Sequence, residues 1–129
     1  ADVATLRIPT PWVPRTGDLI NFLHGGDLDF KEPELTRLVK IMETRPTIVC
    51  IYLERAAVIP EITQKSAALL ADFGAFDDAI LDIIFGKFAP AGRLPFELPR
   101  SMEAVRNQKE DLPYDTGNPL FPFGFGLTY

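Results

Sequence analysis

The side chains in this chain that can transfer protons or bind a polar ligand are mostly carboxylates, and three groups of them follow the carboxyl ends of the expected strands, where ligands approach an open α/β sheet. The first is the run from 9 to 32, which carries Asp18, Asp27, Asp29 and the sole histidine, His24. The second is the dipeptide Glu54-Arg55. The third is the stretch from Asp72 to Asp77. Carboxylates serve as general acids, general bases and acceptors for hydroxyl groups, and imidazole is the side chain that ordinarily titrates near neutral pH. Each group also has a plain structural reading: a solvated loop, an ion pair between neighbours, and a helix-opening cluster.

Other chemistries find little support. Neither a dinucleotide-binding nor a Lys-bearing phosphate loop can be laid over Gly17, Gly25-Gly26 or Gly74. Ser66 and Ser101 are the only serines, and neither sits in a Gly-x-Ser-x-Gly elbow. The single Cys50 excludes an internal disulfide and a Cys-based zinc cluster. His24 with Asp27 and Asp29 can in principle help hold a cation, but a lone loop histidine reads better as a surface or substrate-contact residue. No metal and no cofactor are expected.

Three strands and their crossovers must position these groups. Val3 to Ile8 reads as a strand stopped by Pro9-Thr10-Pro11, and no period holds from there to about Pro33. A loop this long inside a compact domain is usually functional or poorly ordered. Trp12, Phe22, Leu23 and Phe30 give it apolar surface with which to pack. From Pro33 to Arg45, Leu35, Leu38, Val39 and Met42 make one helical face, with Pro33 and Glu34 at the start and Pro46 at the stop. Thr47 to Leu53 is a nearly continuous apolar, β-branched run, which predicts a strand covered on both faces. Val58 to Lys65 predicts a short helix opened by Pro60, and Ala67 to Phe73 another buried strand.

The segment Gly74–Pro99 predicts the unit against which the rest packs. Phe76, Ala79, Ile80, Ile83 and Ile84 form an amphipathic helical face. Asp77 and Asp78 lie in the first turn, and Gly86-Lys87 closes the helix. After the turn Ala89-Pro90-Ala91-Gly92, Leu94 to Leu98 reads as a strand that Pro95 confines to a sheet edge. A short helix near Met102 to Lys109 and a coil follow. Strands alternating with helices predict an α/β three-layer sandwich, a mostly parallel sheet with helices on both faces.

The bulk composition sets limits. A chain of 129 residues, 47% hydrophobic and 24% charged, fits one globular domain. Its net charge of -5 argues against nucleic acid or an anionic membrane surface as a partner, since both select a basic patch. No run reaches the length of a spanning helix. Ala1-Asp2-Val3 carries no signal-peptide features, and the chain reads as a piece of a longer protein.

Two long motifs then carry a resemblance. Asp72-Phe73-Gly74, the helix through Gly86 and Ala89-Pro90-Ala91-Gly92-Arg93-Leu94-Pro95 through Pro99 are followed by Phe121-Pro122-Phe123-Gly124-Phe125-Gly126-Leu127-Thr128-Tyr129. In this order they resemble the C-terminal α/β domain of family 3 glycoside hydrolases, the β-glucosidase-like enzymes. Ala1 to Ile8 and Pro46 to Leu53 are similar to two of that domain's strands. The resemblance implies that 1–129 is a single, incomplete copy of this domain. It implies an N-terminal (β/α)₈-type barrel elsewhere in the parent protein, and a β-linked oligosaccharide or glucoside bound at the junction. It further implies retaining cleavage of terminal non-reducing β-linked glucosyl units, with two carboxyl groups about 5 Å apart as nucleophile and acid/base. The nucleophile belongs to the barrel, so the fragment alone is expected to be inactive.

In many family members the acid/base Glu comes from the loop after the first of these strands, here 9–32. Residues 9–31 contain no Glu, and Glu32 already adjoins the helix start. Asp18, Asp27 or Asp29 replaces it, or the group comes from the barrel or from elsewhere. His24 and Asp27 are candidates for contacts with sugar hydroxyls, Asp18 and Asp27 for catalysis, and Glu54 with Arg55 for bracing the domain interface. The alternative readings are a non-catalytic carbohydrate or small-ligand binding module, and a receiver-like signalling domain. The latter needs an acidic cluster at the end of the first strand, where Ile8-Pro9-Thr10-Pro11 offers none.

Overall fold

The computed structural model describes residues 2–14, 16–17 and 22–129. Asp18, one of the sequence candidates, lies outside them. The elements run β1 (Ala4–Pro9), α1 (Glu34–Thr44), β2 (Thr47–Tyr52), α2 (Pro60–Lys65), β3 (Ala68–Asp72), α3 (Asp77–Ile84) and α4 (Met102–Arg106). The strands form one parallel sheet in the order β1-β2-β3, with Leu6 opposite Val49 and Val49 opposite Leu69. This is the expected α/β architecture.

The central strand carries the continuous apolar run because both its faces are covered, and the consecutive Val49, Cys50 and Ile51 are all buried. In β1 the pattern alternates instead: Ile8 is buried while Thr5 and Arg7 are exposed. The residues that share one sheet face by register, Leu6, Ile8, Val49, Ile51 and Leu69, join Leu38 and Met42 of α1 and Ile62 of α2 in the core. Helices α1 and α2 pack together and are joined by Lys65 Nζ and Glu43 Oε1 at 2.9 Å. Two successive crossovers to neighbouring parallel strands place their helices on one face when both are right-handed.

Helix α1 starts and stops as its sequence dictates. The Thr36 amide donates to Glu32 Oε2 at 3.3 Å, so a side chain just before the helix satisfies one orphan donor. Glu34 pairs with Arg37 one turn on at 2.7 Å, and Pro46 prevents continuation past Arg45, which is already extended.

The opposite sheet face carries Arg7, Cys50 and Asp72. Arg7 bridges to Asp72 at 3.3 Å and also pairs with Asp77, which brings the first turn of α3 to this face. Here packing departs from the sequence expectation. On α3 only Ile80 is buried; Ile83 and Ile84 are half-buried, and Phe76 is 87% exposed. Strand β3 is not a buried strand either, since Ala68 and Ala71 are exposed. An apolar face buries only against a partner, and among the described residues α3 has little to pack on. The Gly74–Pro99 unit is therefore not the packing centre.

The edge strand expected at Leu94 to Leu98 also takes another form. Leu98 makes a lone antiparallel bridge with Phe121, and the rest of the segment is held by separate hydrogen bonds to the C-terminal stretch. The Leu94 amide donates to the Phe125 carbonyl and the Gly124 amide to the Leu94 carbonyl, each at 2.9 Å. Four prolines, Pro95 and Pro99 facing Pro119 and Pro122, remove the donors that a continuous ladder needs.

Candidate functional site

In open parallel sheets ligands approach the carboxyl ends of the strands. Three connections rise there: the loop after β1, the turn after β2 beginning at Leu53, and the Phe73-Gly74-Ala75 turn after β3.

The third is structural. Burial acts to raise the Asp72 carboxyl, yet it is held below its ordinary value by the amides of Gly74 and Ala75, the Cys50 thiol and Arg7. Asp72 Oδ1 accepts from those two amides at 3.0 and 3.1 Å. Its lone pairs are committed to fixing the turn, and it is not available to a ligand.

The first two connections form one unit. The loop leaves β1 with the Thr10 amide bonded to the Tyr52 carbonyl at 3.1 Å, and it folds back so that the Val13 amide meets the Gly25 carbonyl at 2.9 Å. Its returning limb is tied to the turn after β2 by the Val58 amide and the Leu28 carbonyl at 2.8 Å, and by a parallel bridge between Asp29 and Val58. Gly26 sits where the limbs touch. Its φ is +94°, and a Cβ there would stand 2.6 Å from Val13 Cγ2, so both conformation and space demand glycine.

Within this loop Trp12 and His24 stack, ring centroids 4.5 Å apart and planes 18° from parallel. His24 Nδ1 lies 2.6 Å from Glu54 Oε2. A carboxylate at Nδ1 takes that nitrogen's proton in a hydrogen bond and leaves Nε2 on the far side of the ring. Glu54 thus joins the group at the loop, a placement the sequence did not state: there it read as an ion pair with its neighbour or as a brace at the domain interface. Arg55 instead donates to backbone carbonyls of both limbs: Gly26 at 3.0 Å, Asp27 at 2.9 Å, and Pro11. Within this chain Glu54 and Arg55 both hold the loop after β1.

Asp27 is turned to cations, with Lys31 Nζ at 2.9 Å and Arg106 at 3.5 Å. The hydrogen bond from Lys31 holds its carboxyl below the usual value. That state suits accepting from a hydroxyl, whereas a proton donor needs a raised carboxyl. Asp29 shares Lys31 at 2.8 Å. Among the described residues no group of three or more His, Cys, Asp or Glu side chains is placed to hold a metal ion. Phe22 and Leu23, beside His24, are 82% and 76% exposed. The assembled platform is an aromatic pair, an anchored imidazole and flanking carboxylates at the rim of the sheet.

The chain matches known proteins along its whole length. A sequence model described as glycosyl hydrolase family 3 C-terminal domain matches residues 24–129. "Probable beta-glucosidase C" of Aspergillus flavus is 50% identical over all 129 residues, and the chain spans 20% of that protein. "Periplasmic beta-glucosidase/beta-xylosidase" of Dickeya chrysanthemi is 41% identical, again over 100% of this chain and 20% of its own length. Among solved structures, a β-glucosidase from Listeria innocua in complex with isofagomine superposes with a TM-score of 0.71. That match covers 99% of this chain and 20% of the solved one, and at 18% identity it speaks to the fold. The chain therefore corresponds to about a fifth of the proteins it resembles.

Proposed function

This chain belongs to the glycosyl hydrolase family 3 C-terminal domain family, and from that premise we propose that it forms one wall of a β-glucoside-cleaving active site. The whole protein would remove terminal non-reducing β-linked glucosyl units with retention. The nucleophile and most glycone contacts would come from a (β/α)₈-type barrel preceding this domain. The chain's contribution is the loop after β1.

The observation that carries this reading is the anchored Trp12–His24–Glu54 group, set at the carboxyl end of a parallel sheet. An indole presents a flat apolar face to the C–H face of a pyranose. An imidazole locked at Nδ1 offers Nε2 to a hydroxyl. Asp27, held ionised by Lys31, adds a hydroxyl acceptor nearby in the chain. Asp18 retains its standing as a loop carboxylate on sequence grounds alone.

The test is hydrolysis of an aryl β-glucoside by the full-length parent enzyme carrying His24→Ala, Trp12→Ala, Asp27→Ala or Asp18→Ala. A rise in KM or a fall in kcat of tenfold or more, about 1.4 kcal/mol of transition-state stabilisation, is expected for at least the His24 and Trp12 variants. Full activity in all four would remove the loop from the site and leave a carbohydrate-binding module as the better reading.

A further inference from the structure

We propose that Arg55 is a positioning residue that sets the Trp12–His24 stack by clamping both limbs of the loop after β1. Its guanidinium donates to carbonyls on the outgoing limb, at Pro11, and on the returning limb, at Gly26 and Asp27, with Gly25 at a longer 3.4 Å. The limbs carry Trp12 and His24 respectively, one residue beyond Pro11 and one before Gly25. The clamp therefore grips the backbone immediately beside each ring.

The residue type fits the task. Arginine holds five N–H donors in a rigid planar fork, and one such fork can satisfy carbonyls of two chains at fixed spacing. Lysine has one nitrogen and cannot span both limbs with the same geometry. Burial lowers the Arg55 pKa from its ordinary value, which is the cost of removing a cation from water to serve backbone dipoles. The adjacent Glu54 binds the His24 ring itself. One dipeptide after the central strand thus fixes both the backbone and the side chain of the imidazole. The strand that this dipeptide follows, β2, is the most deeply buried of the three.

Relevance to catalysis rests on the reading of this loop as a cleft wall, whereas the clamp itself has an independent readout. Trp12 is the only tryptophan, so indole fluorescence of the 129-residue chain reports this one site. An imidazole stacked on the indole quenches its emission by contact, and separating the rings restores it. Arg55→Met should bring the emission intensity to that of the His24→Ala chain, with far-UV circular dichroism unchanged. Arg55→Lys should fall between. Wild-type emission in Arg55→Met overturns the clamp. If Arg55→Met does not fold, Arg55→Lys decides, and wild-type behaviour in it overturns the clamp equally. Kinetics of the full-length enzyme separate the two ideas. A changed Trp12 signal with unchanged kcat and KM upholds the clamp and removes the cleft reading, while unchanged fluorescence with impaired kinetics does the reverse.

Discussion

The Cys50 thiol donates to the Asp72 carboxylate, Sγ to Oδ2 3.3 Å, reaching from the middle of β2 to the last residue of β3. Both groups are buried. Burial first, and then the neighbouring carboxylate, push the Cys50 thiol up from 9.0 to about 12. Native Cys50 is therefore a proton donor and a poor nucleophile.

A group whose native pKa lies above its unfolded value holds its proton more tightly when folded. Its contribution is complete below the ordinary thiol value of 9.0 and is lost as pH rises toward about 12. We expect the urea midpoint of the chain to fall between about pH 8 and about pH 10.5 more steeply than that of Cys50→Ser, which keeps the donor and does not titrate there. Parallel curves for the two chains would contradict the assignment. Native Cys50 should also react with a thiol reagent only at the rate of unfolding.

Replacing Gly26 tests the loop from its crossing point. Gly26→Ala introduces a Cβ 2.6 Å from Val13 Cγ2 at a φ of +94°. The expected cost is about 1–3 kcal/mol in urea unfolding, combining backbone strain with the displaced valine. Measured against Val13→Gly alone, Gly26→Ala should lose the steric part of its cost, because Val13 Cγ2 and Cβ at 2.6 and 2.7 Å are both gone, and keep the part owed to φ. Full recovery would mean that the backbone conformation there carries no strain.

The exposed aromatic that ends α3, Phe85, should respond differently in two settings. Phe85 is 75% exposed in this chain. Phe85→Ser should change the stability of the 129-residue chain by less than about 0.5 kcal/mol, as isolated surface changes do. In the full-length parent the same substitution should cost more than about 1 kcal/mol if the helix is covered there by other parts of the protein. Equal, small effects in both would show that α3 faces solvent throughout.

Much of this fold is legible in the sequence because local patterns state it. The β-branched run at 47–52, the helical face of Leu38 and Met42, and the punctuation by Pro33, Pro46 and Pro60 locate α1, β2 and α2 within a residue or two. The errors share a physical cause. The α3 face of Phe76, Ala79, Ile80, Ile83 and Ile84 has the period of a buried helix, yet a period states only that burial is favourable and not that its partner lies in the same chain. Leu94–Leu98 alternates like a strand, but proline donors are missing on both sides, so its pairing collapses to one bridge. At the loop, chemistry-bearing residues were identifiable by type, whereas their assembly was not. His24 and Glu54 are 30 residues apart, and no local pattern states that an imidazole on a returning limb will meet a carboxylate after the next strand. The role of Arg55 was still less visible, because its partners are carbonyls, which every residue has.

The bonds between Leu94, Leu98 and the stretch from Leu120 to Gly126 bear on how this sequence can vary. A Cβ on Gly126 would meet the Gly92 carbonyl oxygen at 2.4 Å, and Arg93 donates to the Gly126 carbonyl. The two motifs that most clearly mark this chain's ancestry are thus a single latch with its two halves written some thirty residues apart. The latch holds only when both halves fit each other, so a graft from a relative should be tolerated when both halves come from the same donor and rejected when they do not.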